Sequence, residues 1–269
     1  MKKAKRASPT KPTRDRAKQP PPIVTVRACH GLSEFASCIA IERAVWGSAD
    51  IDIVPLPLFV IAEETGGQVL GAFDGDRMIG FALAFAGAHE RRPFLHSHMA
   101  AVLDDYRSAG VGRALKLFQR DEALARGIEL VEWTFDPLEV RNAHFNFRLG
   151  AIARRFLPNF YGITTSPLHG GLPTDRLVAE WRLRSPRVRR GVSSRKEGTA
   201  PHRGEKLARI HVSPELPVLK RSQPEEAARL QAEIRQEFEH WLGLGYAATS
   251  IEIKDGGGTY LLEPWSHDE

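Results

Sequence analysis

The chain has 269 residues, 42% of them apolar, and a formal charge of +5. That is enough to bury one large core or two smaller ones, and too apolar for a disordered chain. Two cysteines, Cys29 and Cys38, make neither a disulfide framework nor a metal spacing, so buried free thiols are expected. No window of about 18 residues is apolar and uncharged, so no transmembrane helix is expected. The basic start also lacks the apolar run of a secretory signal, which makes a cytoplasmic location the default expectation.

Residues 1–22 are rich in Lys, Arg and Pro and cannot supply a core, so a disordered basic tail is expected there. Residues 23–27 read as a first strand. Residues 32–46 show helical periodicity, with Ser33 as N-cap. Residues 50–57 read as extended, because Pro55 and Pro57 punctuate them. A short helix at 58–64 stops at Gly66 and Gly67. Strands at 69–73 and 78–86 flank the turn Asp74-Gly75-Asp76, and a long strand follows at 94–103. A helix at 111–126, a strand at 128–135 and a helix at 138–149 come next, then a late strand at 177–183. Residues 185–205 are basic, polar and aperiodic and read as a linker. A strand at 207–212, a helix at 224–242 and a hairpin at 247–254 and 259–262 complete the chain. The pattern is α/β with a mixed sheet. The basic residues of 182–209 have no interleaved aromatic rings on which bases could stack, so nucleic acid is not the expected partner.

One segment carries the chemistry. Arg107-Ser108-Ala109-Gly110-Val111-Gly112 has the form R-x-x-G-x-G and lies between a strand and a helix. The first turn of a helix leaves N–H groups without acceptors and carries the positive end of the dipole. Glycines let the backbone approach a ligand closely. The segment is therefore an anion site, and a diphosphate is the expected anion.

In this setting residues 101–112 resemble the acetyl-coenzyme A motif of the GCN5-related N-acetyltransferases (GNAT). The order of helices and strands over residues 23–184 is similar to that fold. Further segments resemble a branch of large predicted GNAT acetyltransferases: Val45-Trp46-Gly47, residues 67–73, Trp133-Thr134-Phe135-Asp136-Pro137-Leu138, Asn142-Ala143-His144-Phe145-Asn146, residues 158–162, Gly245-Tyr246 and residues 260–263. The resemblance implies a GNAT acyl-CoA N-acyltransferase fold: a mixed central sheet flanked by helices, with a core at 23–184. The segment 206–269 is a strand-helix-hairpin extension that packs on that core or on a second subunit in a homodimer.

The resemblance also implies roles. Acetyl-CoA is the cofactor. Met99, Ala101 and Val102 would pair with its pantetheine arm, and Arg107, Ser108, Ala109, Gly110, Val111, Gly112 and Arg113 would hold its diphosphate. Asn142 would orient the cofactor, or cap the preceding loop with Asn146. The reaction implied is direct attack of an amine, on a small molecule or peptide, at the thioester. The family's proton donor is often a tyrosine of the helix after Asp136-Pro137. This chain has Phe145 and Phe147 there, so Tyr161 is the candidate. His96 and His98 alternate on a strand and are candidate bases, with Glu132 and Asp136 as rivals. Trp46, Asp50 and Asp52 fall where the family builds its acceptor wall, and an acidic pair suits an amine. No metal site is expected. The alternative is a non-catalytic CoA-binding or interaction protein that keeps the fold, which the missing helix tyrosine favours.

Overall fold

The computed structural model describes residues 24–47, 53–164, 169–194 and 207–266. The first half runs β1 (Val24–Ala28), α1 (Gly31–Trp46), α2 (Leu56–Glu64), β2 (Gln68–Asp74), β3 (Arg77–His89) and β4 (Arg92–Val102). It continues with α3 (Val111–Ala125), β5 (Leu130–Phe135), α4 (Val140–Arg148), β6 (Ile152–Leu157) and β7 (Arg176–Arg182). The remainder is α5 (Pro186–Ser193), β8 (Ala208–Val212), α6 (Leu216–Ser222), α7 (Pro224–Gly243), β9 (Tyr246–Lys254) and β10 (Gly257–Pro264). The strands form one sheet in the order β1-β2-β3-β4-β5-β7-β6-β9-β10-β8. Only the β4–β5 neighbours are parallel.

Both faces of the first four strands are covered, so β2 is buried at nearly every position instead of alternating. On one face Phe35 and Cys38 of α1 and Phe59 of α2 pack with Phe81 and Leu83 of β3 and with Met99 of β4. On the other, Val111 and Leu115 of α3 pack with Leu70 and Ile79. Trp133 and Trp181 centre the core of the second half, their rings edge to face at 6.0 Å.

The segment after residue 206 extends the same sheet. Strand β9 pairs with β6 through Ala153 and Ala248. Tyr260 of β10 is fully buried, its ring edge-on to Phe147 of α4 and Phe238 of α7, and its hydroxyl donates to Pro137 O at 2.7 Å. A helix and a hairpin that cannot bury their apolar faces alone thus close on the first half.

Several elements differ from the sequence expectation. Helix α2 begins at Leu56, because Pro57 stands in its first turn, where a missing N–H costs nothing. Helix α1 starts at Gly31, with His30 rather than Ser33 at the cap. The expected linker at 185–205 contains α5, capped by Ser185 Oγ accepting from the Val188 N–H, with Val188 buried. Its single apolar anchor lies among arginines, too little for a periodic signal. Strand β6 and helix α6 also carry no expectation. Strand β6 mixes Arg154 and Arg155 with apolar residues, because its charged side chains reach buried carboxylates.

Candidate active site

The glycine segment forms a tight turn between β4 and α3. A single 3-10 turn, Asp104–Tyr106, leads in, and the buried Tyr106 hydroxyl donates to Asp74 at 2.8 Å. Ser108 and Gly110 have positive φ, 64° and 82°. Gly110 caps α3 in the left-handed conformation, where a side chain would be strained. Among the described residues, the N–H groups of Ser108 and Gly110 have no backbone acceptor. Those of Val111, Gly112 and Arg113 open the helix, before the first helical acceptor becomes available. A Cβ on Gly110 would meet nothing within 4 Å, and one on Gly112 only Phe145 at 3.9 Å and Val102 at 4.0 Å. The turn is thus an open cradle of backbone donors at a helix N-terminus, and it fits a diphosphate. The side chains do less than the backbone. Arg107 is exposed and paired with Asp104 at 2.9 Å. The Arg113 guanidinium points away, donating to carbonyls of Gly191, Val192 and Ser194 at the end of α5.

Beside this cradle the sheet opens. Strands β4 and β5 pair at Leu95↔Val131 and His96↔Glu132 and nowhere further. Beyond that point β4 continues to Val102 and β5 to Phe135 without pairing. The free edge of β4 includes Met99, Ala101 and Val102 and leads into the cradle. Backbone donors and acceptors on such an edge are available to an extended ligand. Phe145 of α4 lies against Gly112, so α4 flanks the mouth of the gap, and Asn142 stands exposed in its first turn.

One face of the gap gathers the ionisable candidates. His96 stands opposite Phe85 on β3 and Glu132 on β5. Simple alternation fails at His98: Ala84 pairs with Ser97 and Leu83 with Met99, so His98 is the extra residue of a bulge. Its ring nevertheless lies 6.2 Å from that of His96 and 5.5 Å from Phe85. Burial lowers the pKa of both imidazoles. For His96 the Glu132 carboxylate opposes this and Lys116 adds to it. For His98 the neighbouring His96 adds to it. Glu132 Oε1 accepts from Arg155 at 2.8 Å and Oε2 meets His89 Nε2 at 3.0 Å. Thr134, two residues along the same face, meets the Tyr161 hydroxyl at 3.0 Å. The structure therefore collects His96, His98, Glu132 and Tyr161 on one side of the gap.

The opposite face holds a residue that sequence reasoning missed. Lys116 of α3 is buried where the strands part. Its Nζ donates to Ser97 Oγ at 2.8 Å and to Gln119 Oε1 at 3.0 Å, and lies 4.0 Å from the centre of the Trp133 ring. Burial pushes its pKa down to about 7. A neutral amine has two N–H groups, and two acceptors are present. The available signal was a lysine and a glutamine, Lys116 and Gln119, on the helix face between Leu115 and Ala123.

Glu132 also lines a groove of about 1100 Å³ that runs from the β3–β4 turn, past the ends of β5 and β7, to Tyr246 and Trp265. Trp46 ends α1 and packs against the α1–α2 core, away from this groove. Asp50 and Asp52 lie outside the described residues. Asp136 does not join the group around Glu132: its carboxylate accepts from the Leu138 N–H at 2.8 Å and lies 3.8 Å from Lys220. Among the described residues no cluster of three or more His, Cys, Asp or Glu could hold a metal, and no helix is long and apolar enough to cross a membrane. Cys29 and Cys38 are buried free thiols.

The sequence model of the acetyltransferase (GNAT) family matches residues 37–150, the stretch from α1 through the cradle to the end of α4. This segment, less than half of the chain, is similar to the GNAT family, and further strands and helices follow it. Solved structures agree on the fold. A candidate acetyltransferase from Acinetobacter baylyi ADP1 superposes with a TM-score of 0.52 at 16% identity, over 61% of this chain and 95% of that one. An N-acetyltransferase from Staphylococcus aureus Mu50 gives 0.50 at 13% identity, over 60% of this chain and 99% of that one. The smu.2055 protein from Streptococcus mutans UA159 gives 0.50 at 17% identity, over 59% and 99%. No curated protein matches the sequence.

Proposed function

We propose that this protein is an N-acetyltransferase that uses acetyl-CoA and acts on an amine of a small molecule or peptide. The observation that carries the reading is the early end of the β4–β5 ladder beside a cradle of free backbone donors. The cofactor, when bound, supplies an acetyl thioester. The chain supplies the rest. Donors from Ser108 to Arg113 bind the diphosphate, and the free edge of β4 from Met99 to Val102 aligns the pantetheine arm. His96, held neutral near pH 7, accepts the proton of the acceptor's ammonium, with Glu132 beside it to favour the imidazolium that forms. The Tyr161 hydroxyl, anchored on Thr134, is the donor for the leaving sulfur. It takes the part that Phe145 and Phe147 cannot.

The test is thermal stabilisation by acetyl-CoA, followed by release of free thiol with an amine panel. Stabilisation together with amine-dependent thiol release is expected. No stabilisation at saturating acetyl-CoA rejects the reading. Stabilisation with no transfer across the panel leaves a CoA-binding protein without catalysis.

A further inference from the structure

The groove beside Glu132 carries information on the acceptor. Two carboxylates of its lining are cross-strand neighbours, Glu132 of β5 opposite Glu180 of β7, and His96 of β4 stands opposite Glu132 just outside the lining. Both carboxylates are buried, with side chains 8% and 4% exposed. Neither needs a cationic ligand. Glu132 already has Arg155 and His89, and Glu180 is held by both Arg154 Nε at 3.1 Å and Nη2 at 2.6 Å.

Arginines outnumber carboxylates in the lining: Arg92, Arg154, Arg155, Arg182 and Arg184 stand against Glu90, Glu129, Glu132 and Glu180, and of these carboxylates Glu90 alone has no ion pair among the described residues. Arg182 reaches Glu180 only at 3.5 Å and is 45% exposed. Arg155 spends one nitrogen on Glu132 and is 47% exposed. Arg92 lines the groove with no ion pair among the described residues. A simple cationic amine would enter against these guanidinium groups, whose planar forks suit carboxylate and phosphate. The volume, about 1100 Å³, also far exceeds the needs of a small amine. One wall comes from the C-terminal extension: Leu242, Gly243, Gly245, Tyr246 and Trp265.

We propose that this groove is the acceptor site, that the extension completes it, and that the acceptor is an amine bearing an anionic group. The arginines Arg92, Arg155 and Arg182 hold the anion, and the amine is directed toward His96 and Glu132. This assignment of the amine end rests on the acetyltransferase reading; the anionic-amine site itself does not.

The test uses the full chain and matched probes in calorimetric titrations without CoA. The pairs are L-lysine against cadaverine, and O-phosphoethanolamine against ethanolamine. At least one anionic probe is expected to bind about tenfold tighter than its partner, the effect of one charge-assisted contact. The lysine and phosphoethanolamine arms distinguish a carboxylate from a phosphate. Arg92→Ala combined with Arg182→Ala is expected to remove that preference and to leave the acetyl-CoA thermal shift unchanged. Equal binding within both pairs, no binding of either anionic probe at about 10 mM, or a preference that survives the double substitution overturns the proposal. A preserved preference in a protein that acetyl-CoA does not stabilise rejects the transferase reading and retains the groove as an anionic-amine site.

Discussion

Replacing Lys116 with methionine keeps the length and the apolar stem of the side chain and removes its amine. In the folded chain burial lowers the pKa of that amine from 10.5 to about 7. A tenfold change in a protonation equilibrium is worth about 1.4 kcal/mol, so holding the amine in this site costs roughly 5 kcal/mol at and below neutral pH. The hydrogen bonds to Ser97 and Gln119 and the contact with Trp133 return about 1 kcal/mol each. Lys116→Met is therefore expected to stabilise the protein near pH 7 by about 2 kcal/mol. The sign follows from proton binding. Between about 7 and 10.5 the unfolded chain holds the lysine proton and the folded chain does not, so wild-type stability rises with pH across that window. The advantage of methionine shrinks as pH rises and reverses near the upper end, where the amine is neutral in both states and only its contacts count. Urea unfolding of both proteins near pH 7 and near pH 9.5 measures this directly, because every other titrating group is common to the pair. A stability difference that is the same at both pH values refutes the reasoning.

Gly112→Glu places a carboxylate over the cradle, where the structure leaves room for it beside Phe145 and Val102. The fold is expected to persist, and the acetyl-CoA thermal shift to vanish; an unchanged shift contradicts the diphosphate site. His96→Gln is expected to lower kcat by about a hundredfold or more with little change in cofactor affinity. In the wild type the acidic limb of the rate profile should fall below the ordinary histidine range, because burial lowers this pKa. An acidic limb that His96→Gln leaves in place assigns the base elsewhere. Tyr161→Phe removes a hydroxyl from a side chain that is 44% exposed, so stability should change by less than about 0.5 kcal/mol while kcat drops. Equal kcat in the two proteins dismisses Tyr161 as the donor. Tyr260→Phe strands the buried Pro137 carbonyl and should cost about 1–3 kcal/mol in urea unfolding. A neutral result there means the extension is not anchored through this hydroxyl.

The cradle was legible because everything it needs is local. A strand, two glycines and a helix start lie within a short stretch, and the backbone of that stretch is the proposed binding group. The hairpin at Asp74-Gly75-Asp76 and helices α3 and α7 were legible for the same reason: turn chemistry and periodicity act between near neighbours. What local reasoning lost was whatever depends on a distant partner. Helix α5 looked like a polar linker because its stability comes from Val188, buried against the end of α4 at Gly150. Nothing local to His96 and His98 signals the bulge at His98, which only the pairing with β3 reveals.

The sequence by itself determined the glycine cradle and the order of elements through α4, since glycine conformation and helix-terminal donors need no tertiary partner. Only the tertiary structure places the residues proposed for the acceptor end. It ended the β4–β5 ladder at His96 and Glu132 and swung Tyr161 onto Thr134 from a loop. It drove Lys116 under the gap and brought Tyr246 and Trp265 to the wall of a groove that starts at the β3–β4 turn. Each of these depends on strands paired across long stretches of chain, and that pairing is set by the burial of both faces of the sheet rather than by any local pattern.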